Sequence, residues 1–256
     1  MTHVSSGVAT HQGLRRAGNE DAYCVRGDLG LFVVADGMGG HAAGDVASHL
    51  AVDVIEAFIA ESQSAAESSP WPLPYDPALT LTANRLAIAF RLANRRLAAA
   101  MASDQALRGM ATTAAAVLID RDAAAVAHVG DSRVYRWRRG ELAPLTQDHS
   151  WVGEQVRAGL MSEPEARRHP LRNVVTRAIG GPVDPDVDVE TLALEAGDRL
   201  LLCSDGLSGV VADDRLEELI GVDCPLDQIC QSLIDAANDA GGPDNITALM
   251  LQIDVA

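Results

Sequence analysis

A chain of 256 residues that is 48% hydrophobic can bury a sizeable core as one large domain. Its 20 basic and 36 acidic residues give a net charge of −16, which argues against nonspecific binding to nucleic acid or anionic membrane. That field would also repel a phosphorylated substrate unless bound cations reversed it locally. No apolar stretch approaches the roughly 20 residues that span a bilayer, and Met1–Ser5 shows no basic segment followed by an apolar one, so a cytoplasmic protein without a membrane anchor is expected. The cysteines at 24, 203, 224 and 230 form no Cys-x-x-Cys pair and no zinc spacing, and Cys203 reads as a small buried hydrophobe.

In chain order, Leu31–Ala35 is a continuous apolar run and reads as a buried strand that Asp36-Gly37 ends. From Ala43 the apolar positions Val46, Ala47, Leu50, Ala51, Val54, Ile55, Phe58 and Ile59 recur at helical spacing. Residues 61–77, rich in Ser, Ala, Glu and Pro, read as a long surface insertion. A second helix carries Leu86, Phe90, Ala93 and Leu97 on one face, with Arg91, Arg95 and Arg96 solvated. Thr112–Ile119 is a strand, and Ala124–Val129 with Val134–Trp137 reads as a β-hairpin whose polar tip is Asp131. Residues 150–180 are polar with two short helical stretches, near 152–160 and 163–168. Leu200–Cys203 is a second buried strand, helices follow near 214–220 and 226–240, and Ile246–Ile253 closes the chain as a strand. Antiparallel hairpins with paired long helices point to α+β layers rather than a parallel sheet.

Four aspartates sit in tight, glycine- or asparagine-marked contexts: Asp36 in Val34-Ala35-Asp36-Gly37-Met38-Gly39-Gly40, Asp131 in Gly130-Asp131-Ser132-Arg133, Asp205 in Cys203-Ser204-Asp205-Gly206, and Asp244 in Pro243-Asp244-Asn245. One Asp-Gly is a turn signal. Carboxylates at the ends of several strands are instead what a hard divalent cation needs, since Mg²⁺ and Mn²⁺ take oxygen ligands. Gly37–Ala42 also fits the dinucleotide pattern G-x-G-x-x-A. Against that reading, the Asp36 charge would face a pyrophosphate, and residues 51–60 continue the helix where a second strand ending in an acid is required.

With these blocks assembled, the chain resembles the bacterial metal-dependent serine/threonine phosphatases of the protein phosphatase 2C type. The matching segments run in family order: Arg16–Asp21, Val34–His41, Gly109–Thr113, Gly130–Arg133, Asp148-His149-Ser150, Val175–Gly180, Cys203–Leu207 and Asp244–Thr247. The resemblance implies a four-layer αββα sandwich, two antiparallel β-sheets flanked by helices, forming one catalytic domain over residues 1–256 with a flap at about 150–180. It implies hydrolysis of phosphoserine and phosphothreonine in proteins with two core Mn²⁺ or Mg²⁺ ions. Asp36 would bridge them, Asp205 and Asp244 would complete the first, and the Gly37 carbonyl and Glu20 (through water) would serve the second. A third, weaker ion would use Asp131 and Asp205. Arg16 would hold the phosphate, and Asp21 and Asn245 would support the ligands.

Two metals ~3.5–4 Å apart can share a water and lower its pKa towards neutrality, so a metal-bridged hydroxide could attack phosphorus without a covalent phosphoenzyme. Arg16 suits the phosphate role because guanidinium donates two parallel hydrogen bonds. The leaving-group acid is left open between His41, His149 and a metal-bound water. The flap arginines Arg157, Arg167, Arg168, Arg172 and Arg177 concentrate positive charge in an acidic protein and suggest phosphopeptide docking, with ordinary surface charge as the alternative. The expected partners are phosphorylated proteins from a cognate serine/threonine kinase, and the expected state is a monomer. Two other readings stay open: a phosphatase for an anti-sigma-factor antagonist in a partner-switching pathway, and a catalytically silent scaffold of the same fold.

Overall fold

The run Leu31–Ala35 is apolar without interruption because both faces of its strand are covered, so the usual in–out alternation has no solvent side. Leu31, Val33 and Ala35 meet helices, while Phe32 and Val34 meet a second sheet. The computed structural model describes residues 2–39 and 43–255. In chain order its elements are β1 (Thr2–His11), β2 (Asp21–Arg26), β3 (Leu31–Met38), α1 (Ala43–Ser62), α2 (Leu81–Ser103), β4 (Ala111–Thr112), β5 (Ala114–Asp120), β6 (Ala123–Val129), β7 (Arg133–Arg138) and β8 (Glu141–Pro144). They continue as α3 (Trp151–Arg157), α4 (Glu163–Ala166), β9 (Asp188–Ala193), β10 (Arg199–Cys203), α5 (Asp205–Ser208), α6 (Asp213–Ile220), α7 (Leu226–Asp239) and β11 (Ile246–Val255).

The strands form two antiparallel sheets, ordered β1-β11-β10-β7-β8 and β2-β3-β5-β6-β9, with β4 pairing to β3 off the second path. Helices α1 and α2 pack on the outer face of the β3 sheet, with Ile55, Ile59, Leu86 and Phe90 almost wholly buried there. Helices α6 and α7 cover the outer face of the β10 sheet through Leu216, Ile220, Ile229 and Leu233. The inner faces interlock through Phe32, Val117, Val126, Leu200, Leu202, Leu249 and Leu251. This is the four-layer arrangement of helices, two sheets and helices expected from the sequence.

Several local expectations change. Ala124–Val129 and Val134–Trp137 do not form a hairpin: β6 pairs with β5 and β9, while β7 pairs with β10 and β8 in the other sheet. Asp131 therefore lies on a crossover between sheets. Gly130 makes that crossing at φ 107, where an added Cβ would run into the Thr113 side chain. Asp36 does not end its strand, because β3 continues to Met38 and Asp36 pairs opposite Asp21. On α1 the buried stripe runs through Ala47, Ala51, Val52, Ile55, Phe58 and Ile59, and Val46 is exposed. The segment 61–77 is tied to the core rather than simply looped out: Leu73 is buried, and Trp71 packs against Phe58 with ring centroids 6.3 Å apart. Of the second helix's arginines, Arg95 is ion-paired to Asp184 at 2.7 Å. Strands β1, β2 and β9 had no clear sequence signal, since each lies at a sheet edge with a half-polar pattern.

Candidate metal centre

The candidate ligands come from both sheets. Asp36 belongs to β3, Asp131 to the β6–β7 crossover, Asp205 to the start of α5 directly after β10, and Asp244 to the turn before β11. Asp131, Asp205 and Asp244 line one cleft of about 350 Å³. Their carboxylates act on one another strongly. Burial pushes Asp36 well above the usual carboxylate range, with Asp21, Asp205, Asp131 and Asp244 adding repulsion. Asp131 also rises well above its usual range through burial, with Asp205 the largest charge contribution. Asp205 is pushed up to about 6, burial being the main cause and Asp244 the next, opposed by a hydrogen bond shared with Asp36.

The donor set fits hard divalent cations. Asp205 Oδ1 is buried without a hydrogen-bond partner, as is Asp21 Oδ1. Orphaned carboxylate oxygens beside several like charges are costly unless a cation neutralises them. At Gly37 the backbone is pressed close to α1, where a Cβ would run into the Gly44 carbonyl, and its N–H donates to Glu20 O at 3.1 Å. The Glu20 carboxylate lies over the start of α1, where a Cβ on Gly44 would meet Glu20 Oε2 at 2.8 Å. Burial raises the Glu20 carboxyl, Arg16 opposes the rise, and Asp244 adds to it.

Arg16 is bonded to Asp244, Nη2 to Oδ2, at 2.6 Å. Asn245 fixes the loop that carries Arg16 and Glu20. Its Nδ2 donates to Gln12 O at 2.9 Å and Gly18 O at 2.8 Å, and its Oδ1 accepts from Glu20 N at 2.8 Å. Asp21 lies beneath the cluster. Its Oδ2 accepts from Ser204 Oγ at 2.8 Å and Thr247 Oγ1 at 2.7 Å, and burial pushes its carboxyl up to about 7.

Ser204 and Thr247 were not singled out from the sequence, although each stands within three residues of a candidate ligand. Their signal was a hydroxyl at a buried strand terminus. Thr112 and Thr113 were also missed: Thr112 Oγ1 and Thr113 N donate to the Asp36 carbonyl at 2.8 and 2.9 Å, which fixes the backbone beside Gly37.

A second cluster combines His128, His149 and Asp188, whose ligand atoms all lie within 4.8 Å of one another. Among the described residues this is the group that meets that spacing; the aspartates are gathered more loosely, with Asp244 drawn onto Arg16. The histidines serve structure. Gly130 N donates to His149 Nδ1 at 3.1 Å, and His149 Nε2 lies 3.1 Å from Asp188 Oδ2 and 3.2 Å from Arg177 Nη1. His149 N donates to Gly130 O, and Thr176 N donates to His149 O at 2.7 Å, which binds the crossover to residues 174–177. With both ring nitrogens engaged and 2% exposure, His149 ties a loop to the crossover. His41 and Gly40 lie outside the described residues.

The arginines of segment 150–180 do not act as one free basic patch. Arg167 pairs with Asp213 at 3.1 Å and Arg177 with Asp188 at 2.9 Å.

Comparison with known proteins gives a consistent picture. Residues 13–248 match the family model described as protein phosphatase 2C. Protein phosphatase PhpP of Streptococcus pneumoniae is 34% identical over 251 residues, covering 96% of each chain. The serine/threonine phosphatase PstP/Ppp of Mycobacterium tuberculosis superposes with a TM-score of 0.84 at 34% identity, covering 98% of this chain and 99% of that one. A catalytic domain of serine threonine protein phosphatase PstP in complex with 2 manganese ions superposes with a TM-score of 0.83 at 32% identity, covering 100% of both chains.

Proposed function

This chain belongs to the protein phosphatase 2C family and is a metal-dependent serine/threonine phosphatase, and from that premise we propose which of its residues do the work. Asp36, Asp205 and Asp244, with the Gly37 carbonyl and Glu20, hold two core Mn²⁺ or Mg²⁺ ions, and Asp131 with Asp205 holds a third, weaker one. The observation that carries this assignment is the convergence of four aspartates from separate elements with Asp205 Oδ1 buried and unpartnered. Bound there, the ions supply charge neutralisation and activation of water.

The chain's own groups do the rest. Hydrolysis breaks the bond from phosphorus to the seryl or threonyl oxygen and forms one to the oxygen of water, and the freed alcohol takes up a proton. Arg16 is half exposed and bonded to one oxygen of Asp244, so its guanidinium can turn a fork of N–H groups towards phosphate once Asp244 has a cation instead. The fork meets the negative charge spread over the equatorial oxygens. Asn245 keeps Arg16 and Glu20 on the same side of the aspartates by holding both ends of their loop. Asp21, fixed by Ser204 and Thr247, presents its free oxygen from below.

Residues 1–256 act as one catalytic domain with a flap at 150–180, as a cytoplasmic monomer whose substrates are phosphoproteins made by a serine/threonine kinase. No described helix is long and apolar enough to cross a membrane. The test is release of phosphate from a phosphothreonine peptide under manganese titration. Activity should rise with the metal and fall more than about a hundredfold in Asp36→Ala and Asp205→Ala, the scale of losing one transition-state electrostatic contact. Activity that persists in excess chelator would sink the metal assignment.

A further inference from the structure

The cleft does not stop at the aspartates. From Asp131, Asp205 and Asp244 it continues along α3 and α4, whose Val152, Val156 and Ala166 give it, with Val210, an apolar lining. Val152 and Ala166 are buried, while Val156 and Val210 are half exposed to the opening. Val210 rests on the core beneath α6 and α7, and with Val156 it keeps part of its apolar surface turned to an open cavity of about 350 Å³ beside a charged site.

Charge is distributed unevenly along this wall. Of four arginines lining the cleft, Arg133 holds Asp148 and Arg167 holds Asp213. Arg157 gives one N–H to the Asp148 carbonyl at 2.8 Å, and neither it nor Arg172 forms an ion pair among the described residues. Both are exposed, and Glu163 at the start of α4 offsets them only in part. The cleft thus joins carboxylates that call for cations to two exposed guanidinium groups without an ion-pair partner among the described residues, beside an apolar lining.

Resting on the phosphatase reading, we propose that this extension is a specificity subsite: it takes an apolar side chain flanking the phosphorylated residue of a phosphopeptide, and Arg157 and Arg172 take a carboxylate further along the same peptide. Two features commit it to a phosphopeptide. The subsite is continuous with the aspartate end, where the phosphate binds. Its unpaired cations are also complementary to an acidic segment, whereas the rest of this chain, at net charge −16, repels one. The tethers of α4 and of segment 174–177, Arg167–Asp213 and Thr176–His149, hold the wall in place, so the subsite is preformed.

The test uses the whole manganese-loaded enzyme and phosphothreonine peptides that differ at one flanking position, Leu against Ser, with or without a nearby Glu. Hydrolysis of p-nitrophenyl phosphate, which has no flanking residue, reports the chemistry alone. The wild type should favour the Leu peptide by about tenfold in kcat/KM, the usual discrimination of an apolar pocket. Val156→Asp should abolish that preference and leave aryl phosphate hydrolysis within about twofold of wild type. Because a charge in α3 could disturb the helix, Arg172→Glu is the second variant: it should lose the preference for Glu, and a peptide carrying Arg there should recover turnover. A wild type indifferent to side chains at every flanking position, or variants that slow both substrates equally, would overturn the subsite while leaving the phosphatase reading intact. Loss of aryl phosphate hydrolysis in the wild type would overturn that reading, and the subsite with it.

Discussion

Two groups of buried charge in this molecule are built on opposite principles. At the end of β7, Arg138 binds both oxygens of Asp198 at 2.6 Å, Glu195 at 2.8 Å and the Ala193 carbonyl, and Asp198 also accepts from Glu195 N. Every charge there has a counter-charge or a donor, so the cluster closes on itself. Around Asp205 the same kind of side chain is crowded with others of its own sign, and two oxygens lack donors. The first cluster is finished by folding alone. The second is left incomplete by the fold, and that residual repulsion is the affinity the site offers to a cation.

The contrast is broken most directly by removing one carboxylate from each cluster in the presence of chelator. Asp198→Ala leaves Arg138 with Glu195 and the Ala193 carbonyl alone and should cost about 2 kcal/mol, the scale of a lost hydrogen bond to a charged group. Asp205→Asn removes repulsion and should raise Tm, roughly 2–4 °C for a gain near 1 kcal/mol in a chain of this size. Thermal melts of the two metal-free variants check both signs, and destabilisation by Asp205→Asn would remove the distinction between the clusters. Arg16 is bonded directly to a carboxylate of the acidic cluster and partly closes it. Arg16→Ala should therefore raise KM for phosphopeptide about tenfold while strengthening manganese binding measured by calorimetry; weaker manganese binding would show that Arg16 supports Asp244 rather than competing for it.

The smallest effect lies in the stacked pair His128 and His149, with ring centroids 4.5 Å apart. Burial lowers both imidazole pKa values, against the pull of Asp188, with Arg177 reinforcing the drop. The unfolded chain takes up protons near pH 6.5 and the folded chain does so only below it, so this pair's stabilisation is complete above pH 6.5 and fades as pH falls through the folded values. Protonation of Asp21 and Asp205 works the other way over the same range, so the pair is read by difference: His128→Gln should raise the urea midpoint at pH 5.5 relative to that at pH 7.5, compared with wild type. An unchanged difference would assign the pH dependence to other groups.

The buried strands Leu31–Ala35 and Leu200–Cys203 were legible because a strand covered on both faces needs unbroken apolar sequence. The helix faces were legible from their 3.6-residue spacing, apart from Val46, where spacing alone could not fix the angular limit of the stripe. The candidate ligands stood out because an acid directly beside glycine or asparagine, at the end of an apolar run, is chemically conspicuous. Sheet membership was not legible at Asp131: two adjacent strands around a polar turn read the same in sequence whether they pair with each other or cross between sheets. The tertiary structure decided this through Gly130 and the closure onto His149. It also decided which polar residues serve the aspartates. Ser204, Thr247 and Thr113 are ordinary hydroxyls in sequence, and only the meeting of distant strands gives them carboxylates and carbonyls to hold. Sequence by itself determined which residue types bury and which carry charge, because those are properties of single side chains and their local period. Partners of the site's charges can lie more than 200 residues apart, as Asp21 with Thr247 and Arg16 with Asp244, and only the folded chain supplies them.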